Sequence, residues 1–283
     1  MSALITGAAG FIGSNLAAKV PTDFWCDVDT AGMYNPEIAI EILKSGAITS
    51  VYHLGAISST TETNLSKISY NNVQFSSELL DICIDLKIPF VYASSASVYG
   101  LGNFGFSEDS RLDPLNYYAV SKACFDMFAK QKIIDNPDAK IVGLRYFNVY
   151  GQNEDSKGDM ASPVHKFLLQ SKTGKIKIFE GSNNFERDFV HVDDVVNITR
   201  ESIHFPSGIY NVGTGKSRSF LEVAKIISQL TGAEINEIPF PQHLVGKYQS
   251  FTCSDNKEIN CFYKVDRVSL EDGIKKVYED RVY

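Results

Sequence analysis

Along the first half of the chain, short apolar runs rich in β-branched and aromatic residues alternate with stretches of helical periodicity. Ala3 to Thr6 reads as a strand, followed by a glycine turn and a helix from about Phe11 to Val20. Phe24 to Val28 reads as a second strand, Glu37 to Lys44 as a helix, Ser50 to Leu54 as a strand and Asn72 to Leu86 as a helix. Pro89 to Ser94, Tyr118 to Ile134 and Lys140 to Phe147 continue the alternation as strand, helix and strand. Strands separated by helices join through right-handed crossovers into a parallel sheet. Helices cover both faces of such a sheet, so its strands are nearly all apolar. The pattern predicts an α/β fold, a Rossmann-like doubly wound parallel sheet.

After about Tyr150 the rhythm breaks. Gly151 to Asp159 is polar and reads as a loop, followed by a helix near Pro163 to Ser171, a short strand at Lys177 to Phe179 and a helix near Ser219 to Thr231. This half reads as a smaller lobe at the sheet's carboxyl edge. No repeat, low-complexity tract or long linker separates it from the rest.

Composition narrows the function. A chain of 283 residues, 44% hydrophobic and 22% charged, suits one sizeable domain or a domain with a smaller lobe. The net charge of -7 and the scattered basic residues argue against nucleic-acid binding, which needs clustered Lys and Arg. None of the five cysteines forms a CxxC pair, and Cys26, Cys83 and Cys124 sit in apolar runs that predict buried thiols in a reducing compartment. No basic segment precedes the first apolar stretch, and no apolar run approaches the roughly 20 residues that span a bilayer. The expectation is a cytoplasmic protein with no membrane partner.

Gly7, Gly10 and Gly13 follow the first strand and open the first helix. A pyrophosphate needs backbone amides at close range and a helix N-terminus aimed at it, and glycines allow both. The spacing is GxxGxxG, so a purely structural turn is the competing reading, and the placement between strand and helix favours the dinucleotide. An acid after the second strand commonly takes the ribose hydroxyls. Asp27 stands there with Asp29 close behind, and either is also explained as a solvated strand end. No Lys or Arg follows at once to take a ribose 2′-phosphate, which tilts the choice between NAD and NADP toward NAD.

Ser95 ends the strand that begins at Pro89, and Tyr118 and Lys122 lie four apart on one helix face. An unaided tyrosine titrates near pH 10. The ammonium one turn away, together with a positive nicotinamide, is expected to stabilise the phenolate and lower that value. Tyr118 then takes the alcohol proton as hydride leaves, with Ser95 holding the oxygen. The YxxxK spacing alone is weak in a chain with 14 tyrosines. Its force comes from the conjunction of glycine turn, strand serine and helix pair in that order. Residues 1–150 then form the dinucleotide-binding domain, and 151–283 form mainly a substrate-binding lobe with segments returning to the sheet.

TGAAGFIG, SSASVYG, YAVSK and RYFNVYG together resemble the extended short-chain dehydrogenase/reductases, which act on nucleotide sugars. The likeness runs from Ala3 to beyond Phe251. Rarer segments look like the branch that epimerises a nucleotide-linked heptose at carbon 6: SSTTE from Ser58, KGDMAS from Lys157, FEGSNNFERDFVHVDDV from Phe179, NVGTG from Asn211 and GKYQSFT from Gly246. The resemblance implies oxidation at that carbon, presentation of the opposite carbonyl face and return of the hydride. It implies Tyr118 as one base and Lys157 as the second. By its own sequence Lys157 reads as a solvated loop lysine. Gly10, Phe11, Ile12, the stretch Leu54, Gly55, Ala56 and Ser58, Asn71, Val149, and Tyr118 and Lys122 again would touch the cofactor. Ser95, Asn148, Asp159, Lys166, Phe179, Glu180, Gly181, Ser182, Arg187 and Tyr248 would touch the nucleotide-sugar substrate. Arg187 suits a diphosphate, against the alternative of an ion pair with Asp188 or Asp193. The resemblance also suggests a homo-oligomer. His53 reads as core-facing and His191 as structural, and no histidine pair has metal spacing.

The chain departs from that family in three places. The stretch around Phe24 to Asn35 is short, so FWCDVDTAG is either the family's second strand or its third. Asp159 stands where the family has serine, and Lys166, beside His165, stands where it has a substrate-contacting histidine. A nucleotide-sugar 4-epimerase or ketoreductase with the same triad is the alternative activity. Ala96 and Ser97 replace the acid pair that elimination of water needs, which disfavours a dehydratase. The intact Ser-Tyr-Lys set disfavours a non-catalytic binding module.

Overall fold

The computed structural model describes residues 2–21, 24–27, 35–242 and 249–282. β1 (Ser2–Thr6) leads to α1 (Phe11–Ala17), β2 (Phe24–Cys26), α2 (Pro36–Lys44) and β3 (Ile48–His53). α3 (Leu65–Ser69) runs through a π-helical turn at Tyr70–Gln74 into α4 (Phe75–Asp85), and β4 (Phe90–Ser95), α5 (Tyr117–Asp135) and β5 (Ile141–Tyr146) follow. The remainder comprises β6 (Asn148–Tyr150), α6 (Pro163–Ser171), β7 (Lys175–Phe179), β8 (Glu186–His191), α7 (Val192–Glu201), β9 (Gly208–Val212), β10 (Ser217–Ser219), α8 (Phe220–Thr231), β11 (Glu234–Ile238) and α9 (Leu270–Val282). Among the described residues no helix is long and apolar enough to cross a membrane.

The main sheet has the order β2-β1-β3-β4-β5-β9, and every neighbouring pair is parallel. This is the doubly wound α/β architecture, with its chain reversal between β1 and β3. Strand alternation sends Ile5, Tyr52, Val91 and Leu144 into a core shared with Phe11, Leu16 and Val195 of α1 and α7. Leu4, Val51, Phe90 and Tyr92 point the other way, against Ala39, Leu79 and Phe125 of α2, α4 and α5. A third core of Tyr150, Val164, Ile176, Phe189, Val223 and Ile274 joins α6, α8 and α9 to two small sheets, β10-β8-β6 and β11-β7.

β2 pairs directly with β1, so Phe24–Cys26 occupies the second-strand position, and Asp27 follows its carboxyl end. Among the described residues no strand lies outside β2. Asp29 and Tyr248 lie outside the described residues. The helix expected from Asn72 starts earlier, as α3, and reaches α4 through the π turn. β6, β8, β9, β10, β11, α7 and α9 escaped the sequence pattern. In β8 the cause is visible: Arg187, Asp188 and His191 are all buried, so a buried strand reads as polar. Cys26 and Cys83 are buried as expected, but Cys124 is exposed. Its apolar run lies on α5, where one part of the helix surface faces solvent, so a run of apolar letters does not imply burial of each.

Two local devices fix the carboxyl ends of β1 and β3 against their neighbours. A Cβ at Gly13 would lie 1.9 Å from Gly7 O and 2.7 Å from Gly7 C, so only glycine lets α1 close on the turn. The His53 ring is buried between Thr6 Oγ1, 2.7 Å from Nδ1, and Ser76 Oγ, 2.8 Å from Nε2. Burial, reinforced by the Lys122 charge, depresses its pKa from 6.5 to about 3.

Gly13→Ala is expected to lower stability by about 1–3 kcal/mol, as overpacking against backbone does, measured by urea unfolding. Because folded His53 resists protonation, its contribution is complete above pH 6.5 and shrinks as pH falls toward 3. The loss from this group reaches about 2 kcal/mol at pH 5. The stability advantage of the wild type over His53→Gln should therefore narrow between pH 7 and pH 5, and a constant difference would refute the assignment.

Candidate active site

The glycine turn leaves β1 with Gly7 at φ +71°, a conformation that disfavours any Cβ, and a Cβ there would also lie 2.7 Å from Gly55 Cα. Gly10 N donates to Gly7 O at 3.0 Å, and Ser14 N donates to Gly10 O at 2.9 Å as α1 begins. No side chain caps that helix end. Apart from Gly7 O at 3.2 Å, a Cβ at Gly10 would meet nothing within 4 Å, so an incoming phosphate finds backbone and open space. Asp27 Oδ2 accepts from Ala9 N at 2.7 Å, which sets that carboxylate at the rim of the turn. The turn fits a dinucleotide: amides at a helix start, a glycine face and an acid after β2.

The loop after β3 is fastened beside it. Gly55 N donates to Thr6 Oγ1 at 3.1 Å, and Ile57 N donates to Asn72 Oδ1 at 2.8 Å. Asn72 Nδ2 returns bonds to Ile57 O at 3.0 Å and to Ser121 Oγ at 2.9 Å. Leu54, Gly55, Ala56 and Ser58 are thereby held next to the turn. Asn71 is buried in the π turn, with Nδ2 bonded to Lys67 O at 3.0 Å. The sequence reading chose Asn71 and passed over Asn72, its neighbour in YNNV. Ile12, Leu54 and Val149 are partly buried against the core of the α1 face.

On the other side of the sheet, Asn116 caps α5 by accepting from Ala119 N at 2.9 Å, which places Tyr118 in the first turn. Lys122 is buried, donates to Ala93 O at 2.7 Å, and holds its Nζ 6.0 Å from the centre of the Tyr118 ring. Burial lowers the ammonium's pKa from 10.5 to about 8, with Asp126 opposing. Tyr118 is half-buried, and its phenol is raised rather than lowered: desolvation pushes it up, while a hydrogen bond from Ser95 pulls it back. The lowering expected from the sequence counted a positive nicotinamide together with Lys122, so the protein by itself shows only the burial side of that balance. Ser95 lies at the end of β4, where its Oγ also accepts from Ser97 N at 3.2 Å.

Beneath the pair is a network that sequence reasoning missed. Asp126, buried, accepts from Tyr92 Oη at 3.0 Å and from Arg145 Nε at 2.8 Å, and Arg145 Nη1 donates to Tyr99 Oη at 2.8 Å. The signal was available: Tyr118, Lys122 and Asp126 are spaced by four along one face of α5.

Lys157 sits in the 3₁₀ turn Asp155–Met160, half-buried, with Nζ 5.4 Å from the centre of the Phe11 ring. Burial lowers its pKa, with Glu154 opposing. The sequence alone suggested a solvated lysine, and the structure lays it over the first residue of α1. Thr60 Oγ1 donates to Met160 Sδ at 3.6 Å, joining this turn to the loop after β3. Lys157 thus approaches from the α1 face and Tyr118 from the α5 face.

Apart from Ser95, the described residues expected to touch substrate lie on β6, the 155–160 turn, α6, the end of β7 with the turn after it, and β8. Thr252 Oγ1 donates to Asn148 Oδ1 at 3.2 Å and accepts from Asp188 N at 3.1 Å, so β6, β8 and the 252–254 segment meet. Asp188 collects Thr214 N, Gly215 N and Ser254 N, with the hydroxyls of Thr214 and Ser254. Asp193 binds Lys19 at 3.0 Å and Lys276. Both carboxylates offered as ion-pair partners for Arg187 are thus engaged elsewhere. The Arg187 guanidinium instead bonds Glu186 O at 2.9 Å and Gln249 O, and its Cζ lies 5.4 Å from the centre of the Phe220 ring. Lys166 Nζ donates to Asp159 O at 2.7 Å, so the two positions that depart from the family meet each other. Phe179, Glu180, Gly181 and Ser182 form the turn after β7, with Ser182 Oγ bonded to Phe179 O at 2.5 Å and Glu180 exposed.

Comparison with known proteins agrees with this geometry. The NAD dependent epimerase/dehydratase family matches residues 3–213. The chain is 39% identical to the ADP-L-glycero-D-manno-heptose-6-epimerase of Brachyspira hyodysenteriae, over 98% of this chain and 96% of that protein. It is 40% identical to the enzyme of the same name from Alkalilimnicola ehrlichii, over 90% of this chain and 89% of that one. The crystal structure of the Helicobacter pylori ADP-L-glycero-D-manno-heptose-6-epimerase superposes with a TM-score of 0.86 at 28% identity, covering 99% of this chain and 96% of that one. With a family match over most of its length and relatives this similar from end to end, the chain belongs to the NAD dependent epimerase/dehydratase family.

Proposed function

We propose that this chain is a nucleotide-sugar epimerase that inverts carbon 6 of an ADP-linked glycero-manno-heptose. The observation that carries the reading is the pairing of Tyr118, beside Ser95 on the α5 face, with Lys157 over Phe11 on the α1 face. An epimerase must exchange a proton with the same oxygen from two directions, so it needs two carriers. Likeness to heptose 6-epimerases over nearly the whole chain supports this substrate over the 4-epimerase alternative.

A nicotinamide dinucleotide held here would supply the reversible hydride acceptor. The Gly7–Gly13 turn and the start of α1 hold the pyrophosphate through backbone amides. Asp27 would take ribose hydroxyls, Leu54, Gly55, Ala56, Ser58, Asn71 and Val149 would line the cofactor, and Lys122 would reach a ribose hydroxyl. Ser95 donates a hydrogen bond to the substrate oxygen. For one epimer, Tyr118 takes the hydroxyl proton as the carbon–hydrogen bond breaks and the ketone forms. After the carbonyl presents its other face, Lys157 gives a proton to the alkoxide as hydride returns. Substrate charge is met by Arg187, and Asn148, Asp159, Lys166, the Phe179–Ser182 turn and Tyr248 shape the rest of the sugar nucleotide's site. The exposed apolar residues Tyr117, Val120, Met127 and Ile134 on α5 support a homo-oligomer.

Tyr118→Phe should lower kcat by about 10²-fold or more while cofactor stays bound. NMR should follow interconversion of the two ADP-heptose epimers by the wild type with no cofactor added. Turnover of a UDP-sugar with ADP-heptose untouched would move the assignment to the alternative. The cofactor released on denaturing the purified protein should be NAD, and recovery of NADP would overturn that choice.

A further inference from the structure

Glu154 precedes the turn that carries Lys157, and its side chain is fully buried. Its carboxylate is directed into its own loop. One oxygen accepts from Ser162 N at 2.5 Å and the other from Ser162 Oγ at 2.8 Å, eight residues along the chain. The Gly151 amide also bonds it. Its main-chain carbonyl accepts from Lys157 N at 3.0 Å, and Ala161 N donates to Gly158 O at 3.1 Å within the same loop. The segment from Glu154 to Ser162 is thus drawn shut by a single carboxylate. Lys157 stands at its crown, with Nζ over Phe11.

A buried carboxylate is costly unless its acceptors are filled and a positive charge is near. Ser162 and Gly151 fill the acceptors, and the nearby charge is Lys157 itself, whose pKa burial lowers while the Glu154 carboxylate opposes that shift. Ser162 also caps α6 by accepting from His165 N at 3.2 Å, so the carboxylate ties the loop to a rigid element.

We propose that Glu154 is a positioning residue for the reaction: by closing the 154–162 loop onto the start of α6 it holds Lys157 over the cofactor turn, and it thereby governs the proton transfer made by Lys157 and not the one made by Tyr118. The proposal rests on the reading of Lys157 as the second proton carrier. A general structural role for Glu154 would slow both transfers alike. A role through Lys157 slows one.

The test mixes holoenzyme with each carbon-6 epimer separately and follows the first reduction of bound cofactor at 340 nm in a single turnover. Lys157→Met serves as the reference and should slow reduction by one epimer only. Glu154→Ala should slow the same epimer by about 10-fold or more, the scale of a displaced proton carrier, and leave the other within about 2-fold. Glu154→Gln keeps both Ser162 contacts as weaker neutral hydrogen bonds, so it should hold the loop less firmly and slow that epimer by a smaller factor. If Glu154→Ala fails to fold, judged by thermal unfolding, the Gln variant decides the matter. Equal slowing for both epimers, or no slowing in folded protein, overturns the role of Glu154 while a selective Lys157→Met leaves the reading of Lys157 intact. If Lys157→Met is itself unselective, that reading fails and takes this proposal with it.

Discussion

A buried ammonium organises the centre of this molecule. Lys122 lies inside the protein with one hydrogen bond to Ala93 O and a carboxylate, Asp126, one turn further along α5. An ion in that position is tolerable only where its surroundings are fixed, because each lost partner leaves an uncompensated charge. The surroundings are fixed by Tyr92 of β4 and Arg145 of β5, which both donate to Asp126, and by Tyr99, which accepts from Arg145. This network sets the distance between α5 and the sheet, and with it the position of Tyr118 beside Ser95. The phenol then sits half-desolvated with a raised pKa.

The rest of the mouth is assembled from loops whose main feature is close backbone approach. Gly7 lies against Gly55, and Gly13 against Gly7, at distances that exclude a side chain. His53 and Asn72 complete the fastening with uncharged hydrogen bonds, His53 being kept neutral by its burial. Neutral ties suit the neighbourhood of a buried lysine, since a carboxylate there would compete with Asp126 for it. On the opposite face the same problem is solved differently, with Glu154 closing the Lys157 loop.

The first half of the fold was legible because its strands obey one rule. In a sheet covered on both faces, every strand is a short apolar run, and β1, β3, β4 and β5 have that form. The second half was not, because its strands carry the polar interior. β8 buries Arg187, Asp188 and His191, and Asp188 alone gathers three amides and two hydroxyls from two distant segments. No local periodicity announces a carboxylate whose partners lie dozens of residues away. The exposed Cys124 is the converse case, a cysteine between the buried Ala123 and Phe125 that itself faces outward on α5.

The chain by itself determined the chemistry-bearing residue types and their local spacing: glycines where a phosphate must approach backbone, a phenol and an ammonium one helical turn apart, a serine at a strand end. These are legible because they act within one turn or one loop, where geometry follows directly from residue separation. Only the tertiary structure decided that the short second strand lies beside β1, that Lys157 covers Phe11 from the far face, and that burial raises the Tyr118 phenol. Pairing partners, solvent exclusion and the field of distant charges depend on segments brought together from across the chain. They therefore have no signature in any one stretch of it.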